Sequence, residues 1–269
     1  MIPQDAKYLN EKSIRALQNL KNNPPSVDNF QTSKRSAVLV ALMANSEGDL
    51  EVILTVRSSS LRTNAGDSAF PGGKVDPEDV DLIATAKREA LEEVQLQPSE
   101  SQTLTILSPV LSRQMQVVTP VVVYCPAMAA ADISSLYPNP GEVAAIFTTP
   151  LEYFLSPPPG QYTSFEMQWT LSNFRVHRFE GCGASNHVLG EPEVDPEDHH
   201  SHASSPPSQV DRSKVGWPVY GMTAGVLIEV AKIAFQREPD FEVRAPGQVD
   251  DVALTAEWYN RAFGPRSSL

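Results

Sequence analysis

The sequence is poor in cysteine and in basic residues, and it has no long uninterrupted apolar run. Only two of its 269 residues are cysteines, Cys125 and Cys182, which is too few for a disulfide framework and predicts a reducing compartment. Lysine and arginine together number 21 against 33 acidic residues, so the formal net charge is −12. Because nucleic acids and anionic membranes are bound by clustered basic side chains, we expect neither as a partner.

Leader and membrane signals are also missing. The N-terminus, MIPQDAKYLN, lacks the charged stretch and apolar run of a secretory signal, and it is too acidic and arginine-poor for a good mitochondrial presequence. The apolar run TPVVVYCPAMAAA is broken by Pro126 and is too short to span a bilayer. The composition therefore predicts a soluble, intracellular protein.

Apolar periodicity predicts a mixed sheet with a few helices. Residues 8–21 and 222–237 carry apolar side chains at helical spacing, so both segments are predicted to be helices. Continuous or alternating apolar runs predict strands at 36–43, 50–56, 104–112, 117–125, 167–179 and 215–221, with a further short strand within 138–155. Since no regular strand–helix–strand alternation is present, we expect an α+β fold in which helices flank a mixed sheet.

One segment differs from the rest in composition. Residues 181–214 are rich in Ser, Pro, Gly, His and acidic residues, and we predict a flexible surface insertion there. The HHSH tract at 199–202 has metal-like spacing, but we interpret it as solvated because it has no apolar frame. The predicted organisation is an N-terminal helix and linker (1–33), one domain (34–265) and a C-terminal tail (266–269).

The stretch FPGGKVDPEDVDLIATAKREALEEV, residues 70–94, concentrates negative charge on one predicted helix. The pair Asp76-Pro77 is a helix-start signal, with a capping residue followed by proline. An apolar side is predicted from Val80 onward. The opposite side carries three carboxylates at spacing i, i+3, i+4, which places them together: Glu89, Glu92 and Glu93.

Two interpretations of this acidic face are open. It is either a solvated face with Lys87 and Arg88 nearby, or a site for a hard cation such as Mg²⁺ or Mn²⁺, which prefers oxygen ligands. The preceding Gly72-Gly73 favours the cation site, since glycine permits a tight turn and lets a backbone carbonyl approach a metal.

The pattern of Gly73 followed by Arg88, Glu89, Glu92 and Glu93 resembles the signature of the Nudix hydrolases. The arginine follows the glycine by fifteen residues here rather than the usual fourteen. Asp79 occupies the position of the usual loop acid, and Gln95 replaces the usual glycine after the paired glutamates. The resemblance implies the Nudix fold, an α/β/α sandwich.

An upstream pattern resembles one branch of that family, the coenzyme A diphosphatases. The sequence ILTVRSSSLRTNAGDSAFPGG, residues 53–73, matches that branch in register except at Ile53. The resemblance implies that six of these residues bind substrate: Arg57, Ser58, Arg62, Gly66, Phe70 and Gly72. The arginines suit phosphate oxygens because guanidinium binds them bidentately, although each could instead be a surface charge or a structural ion pair.

The activity implied by the resemblance is hydrolysis of the diphosphate of coenzyme A, or of its derivatives, to 3′,5′-ADP and 4′-phosphopantetheine. Mg²⁺ or Mn²⁺ would be held by Glu89, Glu92, Glu93 and the Gly73 carbonyl. The general base would be Glu93 or Glu142, and Arg88 would orient a glutamate by an ion pair.

Other interpretations stay open. The chain could act on another dinucleotide such as ADP-ribose or NADH, or it could be a non-catalytic binding module. We expect Cys125 in the core, Cys182 in the insertion and His177 on the surface, none of them catalytic.

The final residues Ser267-Ser268-Leu269 resemble the peroxisomal address S-K-L, although Ser268 replaces its basic residue. We therefore expect a peroxisomal location with the import receptor as a partner, the cytosol being the alternative.

Overall fold

The architecture comes from a computed structural model that describes residues 8–26, 32, 34–128, 133–169, 172–184, 186–189, 215–249 and 256. Its helices are α1 (Glu11–Asn22), α2 (Leu82–Val94) and α3 (Gly221–Phe235). Its first six strands are β1 (Arg35–Ala44), β2 (Leu50–Arg57), β3 (Ser68–Ala69), β4 (Gly72–Lys74), β5 (Gln102–Ile106) and β6 (Val110–Leu111). The other six are β7 (Val117–Tyr124), β8 (Val143–Pro150), β9 (Tyr162–Trp169), β10 (Ser172–Cys182), β11 (His187–Leu189) and β12 (Trp217–Tyr220).

Strand β1 is the centre of the larger sheet. It pairs in parallel with β7 and antiparallel with both β2 and β4. The main strand order is β11-β8-β2-β1-β7-β5, and β9, β10 and β12 form a smaller sheet. The mixed strand directions confirm the predicted mixed sheet.

Helices cover both faces of the larger sheet. On one face Ala86, Ala90 and Val94 of α2 share a core cluster with alternate residues of β1 and β7. On the other face α1 and α3 share a second cluster with the remaining alternate residues, together with Phe179 and Val219 of the smaller sheet. Because neighbouring strand residues point to opposite faces, one central strand contributes side chains to both core clusters. The predicted α/β/α sandwich is therefore correct. Within the described residues, no helix is long and apolar enough to cross a membrane.

Helix α2 begins later than predicted. Its N-cap is Asp81, whose carboxylate accepts a 2.7 Å hydrogen bond from the Ala84 amide. The predicted start at Asp76-Pro77 is wrong, and Val80, assigned to the apolar side, is 89% exposed. Two capping signals compete in this segment, and the later one lies next to the apolar residues that pack on the sheet.

The end of α2 adopts the conformation that glycine usually supplies. Gln95 caps the helix in the left-handed region at φ 59°, and its amide donates to the carbonyls of Ala90 and Leu91. The helix therefore ends with the backbone conformation that glycine usually adopts. This conformation is strained for Gln95, because Gln95 has a side chain.

The predicted insertion begins too early. Cys182 is the last residue of β10, pairs with Trp217 and is 1% exposed. His187–Leu189 form β11 and pair with β8. Residues 190–214, with the HHSH tract, and the tail 266–269 lie outside the described residues.

His177 is buried rather than on the surface. It is 4% exposed, and its Nδ1 and Nε2 atoms each lie 2.9 Å from a partner, the Tyr162 hydroxyl and the Val243 carbonyl respectively. A carbonyl can only accept, so Nε2 carries the hydrogen and Nδ1 accepts from Tyr162. The prediction was wrong because the segment that covers His177 lies 66 residues further along the chain.

Both cysteines are buried thiols. Cys125 is fully buried, which confirms its predicted core position. Burial raises the pKa of Cys125 and of Cys182 to about 12. A thiol with so high a pKa is a poor nucleophile at neutral pH.

Candidate active site

The three glutamates of α2 differ in burial. Glu93 is 7% exposed, and one of its carboxylate oxygens accepts a 3.2 Å hydrogen bond from the Gly72 amide. Glu89 is half-buried beside Gly73, whereas Glu92 is exposed. Glu89 and Glu93 therefore lie against β4, and Glu92 lies at the solvent side.

The two glycines of β4 are required for different steric reasons. A Cβ at Gly73 would lie 2.5 Å from the Glu89 carboxylate, so glycine leaves room for that side chain. A Cβ at Gly72 would lie 2.5 Å from the Ala37 carbonyl oxygen on the adjacent strand β1. Gly73 thus provides space in the site, and Gly72 allows β4 to approach the sheet.

Arg88 connects the loop acid to the glutamates. Its Nε and Nη2 atoms each lie 3.0 Å from a carboxylate oxygen of Asp79, and Nη1 lies 3.1 Å from Glu89 and 3.2 Å from Glu92. Nη2 also donates to the Lys74 carbonyl at 3.0 Å. The hydrogen bonds from Arg88 hold the pKa of Asp79 far below its usual range, and those to Asp79 raise the pKa of Arg88. The guanidinium therefore stays charged and fixes the glutamates to the loop.

Glu93 is the most perturbed acid of the site. Burial raises its pKa to about 8, against the Gly72 hydrogen bond and the positive charge of Arg57, both of which lower it. The negative charges of Glu89 and Glu142 raise it further. The pKa of Glu89 is also raised, chiefly by burial. A desolvated carboxylate with a pKa near neutrality suits a general base.

The residues present fit a divalent cation chemically. Their donors are carboxylate and carbonyl oxygens, as Mg²⁺ and Mn²⁺ prefer, and two of the carboxylates are desolvated without full charge compensation. Over the described part of the chain, no group of three or more His, Cys, Asp or Glu side chains is already arranged as a metal site. Arg88 instead contacts Glu89 and Glu92, so a cation would compete with Arg88 for these two ligands.

The loop after β2 lies beside the glutamates. The Ser58 amide donates to the Glu142 carbonyl at 2.9 Å, and the Ser60 hydroxyl donates to the Gly141 carbonyl at 3.2 Å. These bonds hold the chain at Glu142 next to the arginine loop. The side chain of Glu142 is exposed, and its charge acts on both Glu89 and Glu93.

The predicted substrate-binding residues of this loop lie in different surroundings. Arg57 is half-buried, and its buried Nε atom has no hydrogen-bond partner. Arg62 and Gly66 are exposed, and Gly66 turns the loop at φ 76°. The ring of Phe70 is 4% exposed and packs in the core with α1 and α3. Phe70 therefore anchors the loop to the core, and its ring is not exposed to a ligand.

A cleft of about 1210 Å³ opens beside this loop. It lies between the β9–β10 hairpin, α3 and the β5–β6 region, with Arg57 and Asp67 at the loop side. The loop is held to α3 because the Tyr220 hydroxyl donates to the Asp67 carboxylate and the Thr223 hydroxyl donates to the Ser68 carbonyl at 3.2 Å. The cleft was not predicted from the sequence, because its walls come from segments that are distant along the chain. The alternate apolar residues of β9 were a signal that could have indicated an apolar surface there.

A family model described as the NUDIX domain matches residues 33–167. Nudix hydrolase 15, mitochondrial, of Arabidopsis thaliana is 34% identical over 79% of this chain and 63% of its own length. Nudix hydrolase 22, chloroplastic, of the same organism is 34% identical over 79% of this chain and 59% of its own length. The matched part of this chain thus spans less than two thirds of either plant relative.

A further relative and a solved structure complete the comparison. Peroxisomal coenzyme A diphosphatase NUDT7 of Mus musculus is 34% identical over 79% of this chain and 75% of its own length. The crystal structure of a Nudix hydrolase from M. smegmatis, RenU, covers 46% of this chain and 74% of its own, with 20% identity and a TM-score of 0.38.

Proposed function

Because this chain belongs to the Nudix hydrolase family, we propose that it hydrolyses the diphosphate bond of coenzyme A or of a coenzyme A derivative. The products would be 3′,5′-ADP and 4′-phosphopantetheine or its acylated form. The observation that carries the proposal is the position of Arg57, whose charge acts on Glu93 while the residue also lines the large cleft. The mouse relative is named a coenzyme A diphosphatase, which supports the same substrate.

Nudix hydrolases generally use divalent metals, and we assign Glu89, Glu92, Glu93 and the Gly73 carbonyl as the residues that would hold Mg²⁺ or Mn²⁺. When bound, such a cation neutralises phosphoryl charge and lowers the pKa of water. Arg88 holds two of these carboxylates in place through the contacts described above. In this proposal Arg88 positions the ligands and does not itself touch the substrate.

The proton of the attacking water goes to Glu93 or Glu142. Glu93 is favoured because it is buried at the centre of the site and the Gly72 amide holds its carboxylate in place. Arg57 and Arg62 bind the phosphate oxygens. Arg57 lines the cleft and Arg62 is exposed, and a guanidinium group suits phosphate oxygens.

The test is product chromatography of the purified protein with coenzyme A, dephospho-coenzyme A, ADP-ribose and NADH, each with Mg²⁺ or Mn²⁺. We expect 3′,5′-ADP from coenzyme A, with the other substrates far slower. Faster turnover of ADP-ribose or NADH would leave the hydrolase standing and overturn the coenzyme A assignment. No turnover of any substrate would favour a ligand-binding module.

The variant Glu93→Gln separates catalysis from binding. We expect turnover to fall by about a hundredfold or more, since general base catalysis contributes that much. The matched control is Glu47→Gln, an exposed residue in the turn between β1 and β2, which should leave turnover unchanged.

For the cellular location we propose the peroxisome. The relatives are named as mitochondrial, chloroplastic and peroxisomal proteins, and the peroxisomal one is the coenzyme A diphosphatase, which supports the proposal. The candidate signal is the tail Ser267-Ser268-Leu269. A fluorescent protein fused ahead of this tail should colocalise with a peroxisomal marker, and removal of Leu269 should make it diffuse. A diffuse signal from the intact fusion would favour the cytosol.

A further inference from the structure

One wall of the cleft is an apolar face of the β9–β10 hairpin. Alternate residues of β9 point to the same side of a strand, and their register partners on β10 extend that side: Phe165, Met167 and Trp169 with Val176 and Phe174. All five line the cleft, and the rings of Trp169 and Phe174 pack edge to face with centroids 5.4 Å apart. Phe165 is 56% exposed and the other four side chains are partly buried; an apolar patch that remains open to solvent can serve as a binding surface.

The opposite walls contribute apolar side chains among polar ones. Helix α3 contributes Met222, Gly225 and Ile228, and the β5–β6 region contributes Leu107 and Val110. A volume of about 1210 Å³ exceeds the range of about 300–1,000 Å³ that is usual for small-ligand pockets. The cleft therefore has room for more than a nucleotide, and its walls favour an apolar ligand.

Two basic residues of the cleft pair with acidic residues of the protein. Arg175 contacts Glu166 and Glu242 at 3.0 and 3.1 Å, and Lys232 contacts Glu238 at 3.1 Å. Such pairs leave fewer free charges to attract a polar ligand arm. Arg57, Arg113 and Arg244 also line the cleft, and the charge of Arg57 acts on Glu93.

Resting on the proposed function, we propose that the hairpin face of Phe165, Met167, Trp169 and Phe174 determines substrate specificity by binding an apolar acyl group. The acyl group would be the thioester-linked chain of a coenzyme A ester whose diphosphate lies beside Arg57. An apolar wall disfavours free coenzyme A, whose arm ends in a small thiol. It also disfavours the disulfide form, whose arm ends in a second charged nucleotide.

The location of this surface separates specificity from hydrolysis. The glutamates lie on α2 and Arg57 ends β2 of the larger sheet, whereas the surface lies on the β9–β10 hairpin of the smaller sheet. Loss of hairpin contacts should therefore raise KM for acyl esters and leave kcat unchanged, because these contacts are equal in the ground and transition states.

The experiment measures kcat and KM with Mg²⁺ for coenzyme A and its acetyl, butanoyl, octanoyl and dodecanoyl esters. Each buried methylene can improve binding by about fourfold at most. We expect KM to fall at least about tenfold between the acetyl and octanoyl esters, with kcat nearly constant. A parallel calorimetric titration of coenzyme A and octanoyl-coenzyme A in EDTA measures the same preference without turnover.

The variants are Phe165→Ser and Met167→Ser, with Val215→Ser as the matched control. Val215 is 48% exposed and does not line the cleft. The two hairpin variants should flatten the dependence of KM on chain length while hydrolysis of free coenzyme A is retained. The control should keep the wild-type dependence.

Each outcome has a distinct meaning. Hydrolysis of coenzyme A with no dependence on chain length would overturn this inference and leave the proposed function intact. Failure to bind or hydrolyse coenzyme A and all its esters would overturn the proposed function, and the inference with it. A flat profile together with a dimer in sedimentation that Phe165→Ser abolishes would assign the hairpin face to a second copy of the chain.

Discussion

The backbone amide of Gly72 donates a hydrogen bond to the Glu93 carboxylate across 3.2 Å. This bond joins β4, which pairs with the central strand β1, to the last turn of α2. The position of the most buried acid in the site is therefore set by the sheet as well as by its own helix. Hydrogen bonds of an amide to a carboxylate are stronger than neutral ones, so the contact partly offsets the burial of Glu93.

The two adjacent glycines should respond differently to alanine. In Gly73→Ala the new methyl meets the flexible end of Glu89, so we expect the free energy of unfolding to change by less than about 1 kcal/mol while kcat falls about a hundredfold. In Gly72→Ala the methyl meets the backbone of Ala37 and Val38, and unfolding should become easier by about 3 kcal/mol. Urea unfolding and steady-state kinetics measure both effects. Equal losses of stability would contradict this assignment.

Replacement of Arg88 by lysine should destabilise the protein although the charge is retained. An ammonium group cannot contact Asp79 bidentately and also reach the Lys74 carbonyl and two glutamates. We expect Arg88→Lys to cost about 2 kcal/mol in the free energy of unfolding and to lower kcat. The control is Arg15→Lys, at an exposed ion pair with Glu11 at 3.8 Å, where the cost should stay below about 0.5 kcal/mol. Similar losses in the two variants would show that the Arg88 contacts are not fixed.

His177 should make the protein less stable in mild acid. Burial lowers the pKa of His177 below 6.5, as does the charge of Arg175, and the Val243 carbonyl opposes them. The unfolded state then binds the proton more readily, so the contribution is complete above about pH 6.5 and is lost as pH falls through the lowered pKa. Its slope is at most about 1.4 kcal/mol per pH unit.

The measurement for His177 is urea unfolding of wild type and His177→Gln between pH 5 and 7.5. The wild type should lose stability more steeply below pH 6.5 than the variant does. Glutamine stays neutral throughout this range, so the difference between the two curves isolates the imidazole. Parallel curves would mean that the pKa of His177 is the same in the folded and unfolded states.

Gln95→Gly should stabilise the protein. Gln95 holds a left-handed conformation at φ 59°, which costs a residue with a side chain about 1 kcal/mol relative to glycine. Allowing for the greater freedom of glycine in the unfolded chain, we expect a gain of about 0.5 kcal/mol and a rise in Tm of about 1–2 °C. The same substitution at Gln18, exposed in the middle of α1, should instead cost about 1 kcal/mol. A loss at residue 95 would contradict the expected gain.

Local patterns were sufficient for most of the regular structure. The apolar runs at 36–43 and 50–56 became β1 and β2, and the periodic segment at 222–237 became α3. These elements are buried on one or both sides, so the spacing of their apolar residues indicates the type of secondary structure. The short strands β3 and β4 carry no such pattern, since their positions depend on pairing with β2 and β1.

The site was predicted as a set of residues but not as an arrangement. The spacing of Glu89, Glu92 and Glu93 placed them on one helix. Their different burial results from the packing of β4 against that helix, which cannot be predicted from the spacing. The late start of α2 freed Asp79 to pair with Arg88. His177 and the cleft depend on contacts between distant segments, which periodicity within one segment does not report.

The parallel pairing of β1 with β7 determines when this site can form. Arg35 pairs with Val117, 82 positions away, and the register continues to Leu42 and Tyr124. Helix α2 and β4 both lie within the loop that this pairing closes. Long-range parallel pairing forms slowly, because loop closure precedes the gain from the contacts. We therefore expect the sheet that anchors β4 and α2 to be completed late in folding, and with it the final arrangement of the site.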